Sequence, residues 1–196
     1  AADRADWRVL VGDAPVSEAL LDAYPTKLFR RRPNARQQRF MVVTGELPDV
    51  PQPDGYRPAR TADVEQLTEL ACRLHVEDLM GPPISRSARP AVRSRMADSV
   101  SRGLTWVVER DGDVVAKLDV SLRSRRRGGQ IAGVYVERAH RGCGIATAAV
   151  AALTRDLLAE GLPGVSLHVR ADNLAAIRAY RRAGMTDRGP WTLALR

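Results

Sequence analysis

Apolar residues recur along this chain with two different periods, and the alternation between them predicts a mixed α/β protein. Over 165–170 the period is two. Val165, Leu167 and Val169 fall on one side and Ser166, His168 and Arg170 on the other, as in a half-buried strand. From Ile145 onward the repeat is every fourth residue, and Ile145, Ala149, Leu153 and Leu157 make one face of a helix that can press on a sheet. A second helix carries the stripe Val64, Leu67, Leu70, Ala71 and Leu74, with Thr61 placed to cap its start. Strands are expected over 104–109 and 113–122, joined by the turn Asp111-Gly112, and again over 131–136. Another helix is expected over about 88–100, and the run Arg123 to Gly129 makes a solvated hairpin tip.

Ahead of these lies a shorter strand-helix-strand pattern: strand 7–11, helix 17–24 and strand 38–44, with the basic loop Phe29-Arg30-Arg31-Arg32-Pro33-Asn34 between the last two. Three short elements bury little surface alone. Residues 1–54 are therefore expected to be a partial N-terminal domain or extension, and the proline-rich stretch Val50-Pro51-Gln52-Pro53-Asp54-Gly55 separates them from a main domain at 55–196.

Composition narrows the chemistry. An apolar content of 44% over 196 residues suffices for one ordinary core. The two cysteines, Cys72 and Cys143, fit no zinc or redox spacing, so reduced thiols and no metal site are expected. No apolar run reaches membrane-spanning length and Ala1-Ala2-Asp3-Arg4 opens no signal segment, which points to a cytoplasmic protein without a membrane partner. A net charge of +8, carried almost entirely by arginine, favours anionic ligands. That charge is spread along the chain, which argues against a dedicated nucleic-acid surface.

Two motifs carry chemistry. The first, Arg141-Gly142-Cys143-Gly144-Ile145-Ala146-Thr147, joins a strand to a helix. Its glycines allow a sharp turn and close approach of a ligand, and the helix start presents unpaired N–H groups and the positive end of its dipole, a setting suited to phosphate. No Lys-Ser/Thr pair follows for a nucleoside triphosphate, and no third glycine for a dinucleotide fold. Cys143 is read as filler in a loop that offers backbone groups. The second is Ser166-Leu167-His168-Val169-Arg170-Ala171-Asp172-Asn173, followed by Ala176, Tyr180 and Gly184-Met185. Asn173 can cap the last helix, Tyr180 lies about two turns on, and Gly184 can end it.

In order and spacing the two motifs resemble the GNAT superfamily of acetyl-CoA-dependent N-acetyltransferases, with the nearest local likeness to enzymes that acetylate the N-terminal amine of ribosomal proteins. The likeness is strong from Gln130 to Met185 and extends back to Tyr56, where Tyr56-Arg57-Pro58 resembles an opening strand. It implies a mixed, mostly antiparallel sheet splayed between two central parallel strands and flanked by helices. Acetyl-CoA would be the co-substrate, held by the backbone of Val134, Tyr135 and Val136 along the pantetheine arm, by Arg141, Gly142, Cys143, Gly144, Ile145, Ala146 and Thr147 at the pyrophosphate, and by Asn173 and Tyr180. Tyr180 would protonate the departing thiolate. His168 stands where the resembling enzymes carry a glutamate base, so the base is either His168 or a water chain ending on Glu77 or the sheet backbone. The acidic pair Glu77 and Asp78 would attract the acceptor, an amine of a protein, a peptide or a small molecule. The rival reading is an acetyl-CoA sensor that engages RNA or a protein partner. Exposed edges of such a sheet leave room for a homodimer.

Overall fold

The computed structural model describes residues 9–23, 34–78 and 81–195. Its elements in chain order are β1 (Val9–Asp13), α1 (Ala14–Asp22), β2 (Asn34–Val43), β3 (Tyr56–Pro58), α2 (Val64–Glu77), α3 (Arg89–Ser101), β4 (Thr105–Arg110), β5 (Asp113–Ser124), β6 (Gly128–Val136), α4 (Ile145–Ala159), β7 (Val165–Arg170), α5 (Leu174–Arg182) and β8 (Thr186–Leu195). The expectations that fell on Trp7, Tyr24, the basic loop 29–33 and Leu79-Met80 lie outside the described residues.

All eight strands join one sheet in the order β1-β8-β2-β7-β6-β5-β4-β3. Only β6 and β7 run parallel; every other described pair is antiparallel, which is the mixed sheet expected. The helix stripe Ile145, Ala149, Leu153 and Leu157 is buried against one face, where it meets Leu118, Ile131, Val165 and Leu167. On the opposite face Leu67 and Leu70 of α2 cover Val107, Val114 and Tyr135. Alternation within β7 is as the sequence indicates: Val165, Leu167 and Val169 are buried and the residues between them half-buried.

Three local features differ from expectation. Thr61 does not cap α2. A short 3-10 turn (Thr61–Asp63) precedes the helix, and Asp63 accepts the Arg60 N–H at 2.6 Å while pairing with Arg57 at 2.7 Å. A charged acceptor that also meets a guanidinium binds more strongly than a hydroxyl. The hairpin tip shrinks to 125–127 because β5 and β6 continue pairing to Ser124 and Gly128. The sequence reading also lacks β8. Gly189-Pro190 interrupts its alternation, and the β2–β8 register shifts beside them, between Phe40 and Met41. Finally, β2 lies between β7 and β8, inside the sheet, with Phe40 opposite His168.

Candidate active site

Parallel pairing of β6 with β7 begins at Gly129 opposite Val165 and ends at Ile131 opposite Leu167. Beyond that point the strands part, and a cavity of about 640 Å³ occupies the opening, reaching from Leu74 and Asp78 on the α2 side to the start of α4 and to Tyr180 of α5. A bulge starts the divergence. Tyr135 lies opposite Lys117 and Ala132 opposite Asp119, so β6 advances three residues where β5 advances two. Gly133, within this bulge, has φ +56°, a conformation that glycine adopts without a Cβ penalty.

The phase of the strand decides which backbone groups face the opening. Glu137 donates its N–H to Val115 on β5 at 2.8 Å. Successive residues of a strand turn their backbone groups to opposite sides, so Tyr135 also faces β5 while Val134 and Val136 face the gap. Tyr135 instead contributes its side chain: the buried ring sends its hydroxyl to Glu77 at 3.0 Å. The Val136 carbonyl accepts from Arg141 Nε at 2.8 Å.

At the far end, Gly142 (φ +82°) and Gly144 (φ +80°) make the turn into α4, with Gly144 in the N-cap position. A Cβ on either would meet nothing within 4 Å, so open space lies over the turn. Cys143 is exposed and Ile145 is buried. Thr147, 9% exposed, stands in the first turn of α4, and its buried hydroxyl has no hydrogen-bond partner among the described residues. An unsatisfied buried hydroxyl beside orphan helix N–H groups fits an anion such as the pyrophosphate of CoA. His140, Arg178 and Arg182 also line the cavity. The sequence reading omits the two arginines, although their spacing of four residues puts them on one face of α5.

Arg141 does not point into open solvent over the turn. Its guanidinium reaches Glu77 at 2.8 Å and lies 5.2 Å from the Tyr135 ring centre. Glu77 thereby accepts from Arg141, Tyr135 and Arg138. Burial raises its carboxyl pKa, and these donors outweigh that and hold it below the usual range. Asp78 is different: burial raises its pKa against the opposing pull of Arg170 and Arg36. Arg170 spans from β7 to the end of α2, donating to the carbonyls of Glu77 at 3.1 Å and Asp78 at 3.2 Å.

His168 projects from β7 toward the α2 side and lines the cavity. Its ring packs 5.1 Å from Phe40 and 5.4 Å from Trp191, and these two stack at 4.9 Å. Its Nδ1 is buried without a partner among the described residues, and burial lowers its pKa. Phe40 and Trp191 are absent from the sequence reading because they reach the site only through β2 and β8.

Asn173 caps α5, its side chain accepting the Ala176 N–H at 3.1 Å. The helix closes with Gly184 (φ +94°) donating to Arg181 and Met185 to Tyr180, a Schellman ending as the glycine implied. Between these caps Tyr180 is 7% exposed and lines the cavity. Burial, with the nearby charge of Asp78, raises its hydroxyl pKa far above the ordinary tyrosine value. Among the described residues no three His, Cys, Asp or Glu side chains group as metal ligands, and no helix is long and apolar enough to cross a membrane.

Known proteins are similar to this chain in sequence or in fold. Mycothiol acetyltransferase of Streptomyces griseus is 35% identical over 81 residues, which are 41% of this chain and 26% of that protein. An acetyltransferase of Sodalis glossinidius is 36% identical over 79 residues, 40% of this chain and 54% of the relative. A GNAT-family acetyltransferase structure from Colwellia psychrerythraea superposes with a TM-score of 0.68 at 17% identity, covering 96% of this chain and 64% of that one, which shows a shared fold. The chain thus spans about a quarter to two-thirds of the length of these proteins. Residues 65–185, more than half of the chain, match the acetyltransferase (GNAT) family, and with the parted strands and the glycine turn at the head of α4 they make the chain a member of that family.

Proposed function

We propose that the chain is an N-acetyltransferase that moves the acetyl group of acetyl-CoA directly to an amine of a peptide, a protein or a small molecule. The observation that carries this reading is the opening between β6 and β7: backbone of Val134 and Val136 along one wall, the start of α4 with the orphan Thr147 hydroxyl at one end, and Tyr180 and His168 beside it. Family membership supports acetyl-CoA as the donor.

In this scheme the pyrophosphate rests on the N–H groups of residues 142–147, with Arg178 and Arg182 supplying positive charge nearby. Arg141 acts by holding the Val136 carbonyl and Glu77, so Glu77 serves the wall as a brace, while Asp78 remains to draw in the amine. The amine nitrogen attacks the thioester carbon, and its C–N bond forms as the C–S bond breaks. Val134 N–H stabilises the charge that develops on the carbonyl oxygen. His168, kept neutral by its aromatic surroundings, takes the amine proton, and Tyr180, kept protonated by burial, returns one to the thiolate sulfur. The products are an amide and the free thiol of CoA. The working unit is residues 55–196 together with β2, which supplies the neighbour of β7.

A thiol-release assay with acetyl-CoA and panels of peptides, amino sugars and polyamines, alongside calorimetry with acetyl-CoA alone, tests the reading. CoA release that depends on an added amine is expected. Tight binding of acetyl-CoA with no release for any amine would favour the sensor reading, and no binding would overturn both.

A further inference from the structure

Directly behind the opening lies a charge pair that the scheme above does not use. Lys117 of β5 is 1% exposed, the largest of the fully buried side chains, and one of only two lysines among 31 basic residues. Its ammonium meets the Asp119 carboxylate and donates to the Gly133 carbonyl at 3.0 Å. Asp119 accepts in turn from Thr105 at 3.0 Å, and Thr105 shares a hydrogen bond with Ser99 of α3 at 2.8 Å. Well-packed apolar residues in place of a buried ion pair are often as stable or more so. What such a pair adds is defined geometry, and here the geometry it defines is that of the bulge. A Cβ on Gly133 would lie 2.3 Å from Asp119 Oδ2 and 2.9 Å from Lys117 Nζ, so the peptide and the charges are in close contact. An ammonium, compact and with three donors, suits this space where a planar guanidinium would not.

No described peptide bond is cis, and a trans peptide directs its N–H opposite its C=O. With the Gly133 oxygen drawn toward Lys117, the N–H of Val134 turns away from β5. The strand phase set by the Glu137 bond to Val115 gives the same direction. We infer that Lys117, fixed by Asp119, is a positioning residue: by gripping the Gly133 carbonyl it aims the Val134 N–H into the opening as donor to the thioester oxygen, and polarises that donor through the shared peptide. This rests on the acetyl-transfer reading proposed above.

The test uses the wild-type chain and two variants. In wild type, saturation with acetyl-CoA should move the Val134 amide proton downfield in NMR spectra, with a much smaller shift at Tyr135. Replacing the pair by neutral residues, Lys117→Met with Asp119→Asn, should lower kcat about tenfold or more while acetyl-CoA affinity changes by less than about threefold. The carbonyl stretch of bound ¹³C-labelled acetyl-CoA should rise toward its free value. Gly133→Ala, which keeps both charged side chains but forces them and the peptide apart, should raise the stretch likewise. A folded double variant with wild-type kcat and stretch overturns the inference, as does a fall in kcat with an unchanged stretch. If neither variant folds, an unmoved Val134 amide in saturated wild type overturns it. Failure of wild type to bind acetyl-CoA at all would instead refute the enzymatic reading.

Discussion

Glu77 and Arg141 meet at 2.8 Å across the mouth of the cavity, joining the last turn of α2 to the loop before α4. Read from sequence, the two residues have separate tasks, one toward the acceptor and one toward the phosphates. Folding makes them partners, with Tyr135 and Arg138 on the same carboxylate.

Because both side chains are partly exposed, 23% and 44%, the pair itself contributes at most about 1 kcal/mol. Glu77→Gln should therefore lower Tm by only about 2–4 °C at neutral pH. The sign of the pH dependence follows from the lowered carboxyl pKa. Stability linked to such a group is present above the unfolded value near 4.3 and is lost as pH falls through the lower folded value. The Tm difference between wild type and Glu77→Gln should thus close on acidification, and thermal melts showing a constant difference down to about pH 3 would assign it to packing instead.

Thr147→Val separates stability from binding. Removing an unsatisfied buried hydroxyl should leave the protein as stable as wild type or raise its stability by about 1 kcal/mol. The same change should weaken acetyl-CoA binding about tenfold, since the donor beside the α4 N–H groups is gone. Calorimetry beside thermal melts checks both arms, and unaltered affinity would remove Thr147 from the phosphate site.

Tyr180→Phe keeps the ring and deletes the proton. Burial holds the hydroxyl protonated well past neutral pH, the form that the proposed acid role requires. Turnover should fall by about 10²-fold with acetyl-CoA affinity little changed. Steady-state kinetics with direct binding measurements decide this, and an unaffected kcat would end the acid role.

For His168 the aromatic neighbours matter as much as the ring. Burial lowers its pKa from the ordinary value near 6.5, so it stays neutral through the neutral range. The acidic limb of kcat/KM should lie below about pH 6.5 in wild type and be absent in His168→Gln, whose residual rate is flat there. Folding stability should decline as pH drops through about 6.5, because the unfolded chain binds that proton more readily than the folded one. A ratio of wild-type to variant rates that is constant from pH 5 to 9 would return the base role to a water chain.

Local pattern sufficed for the strand 165–170, the α4 stripe and both caps of α5, since each depends on residues within a few positions of one another. The turn at Gly142 and Gly144 is equally local. Harder to read was β8, where Gly189-Pro190 mimics a loop and tertiary pairing overrides it. Lys117 did leave a trace, a lone cation inside the apolar run Val114-Val115-Ala116-Lys117-Leu118, yet nothing in that run names Gly133 as its partner.

By itself the sequence determined the described elements other than β8 and the two-glycine turn at the head of α4, because periodicity, capping and backbone freedom act over one or two turns of chain, and the order and spacing of its two motifs pointed to the family. Only the tertiary structure decided that β2 enters the sheet beside β7, that Phe40 and Trp191 enclose His168, that Arg141 joins Glu77, and that Lys117 lies behind Val134. Each of these joins residues from strands or helices distant in sequence, and the register and packing that bring them within a few ångströms are set by the sheet as a whole.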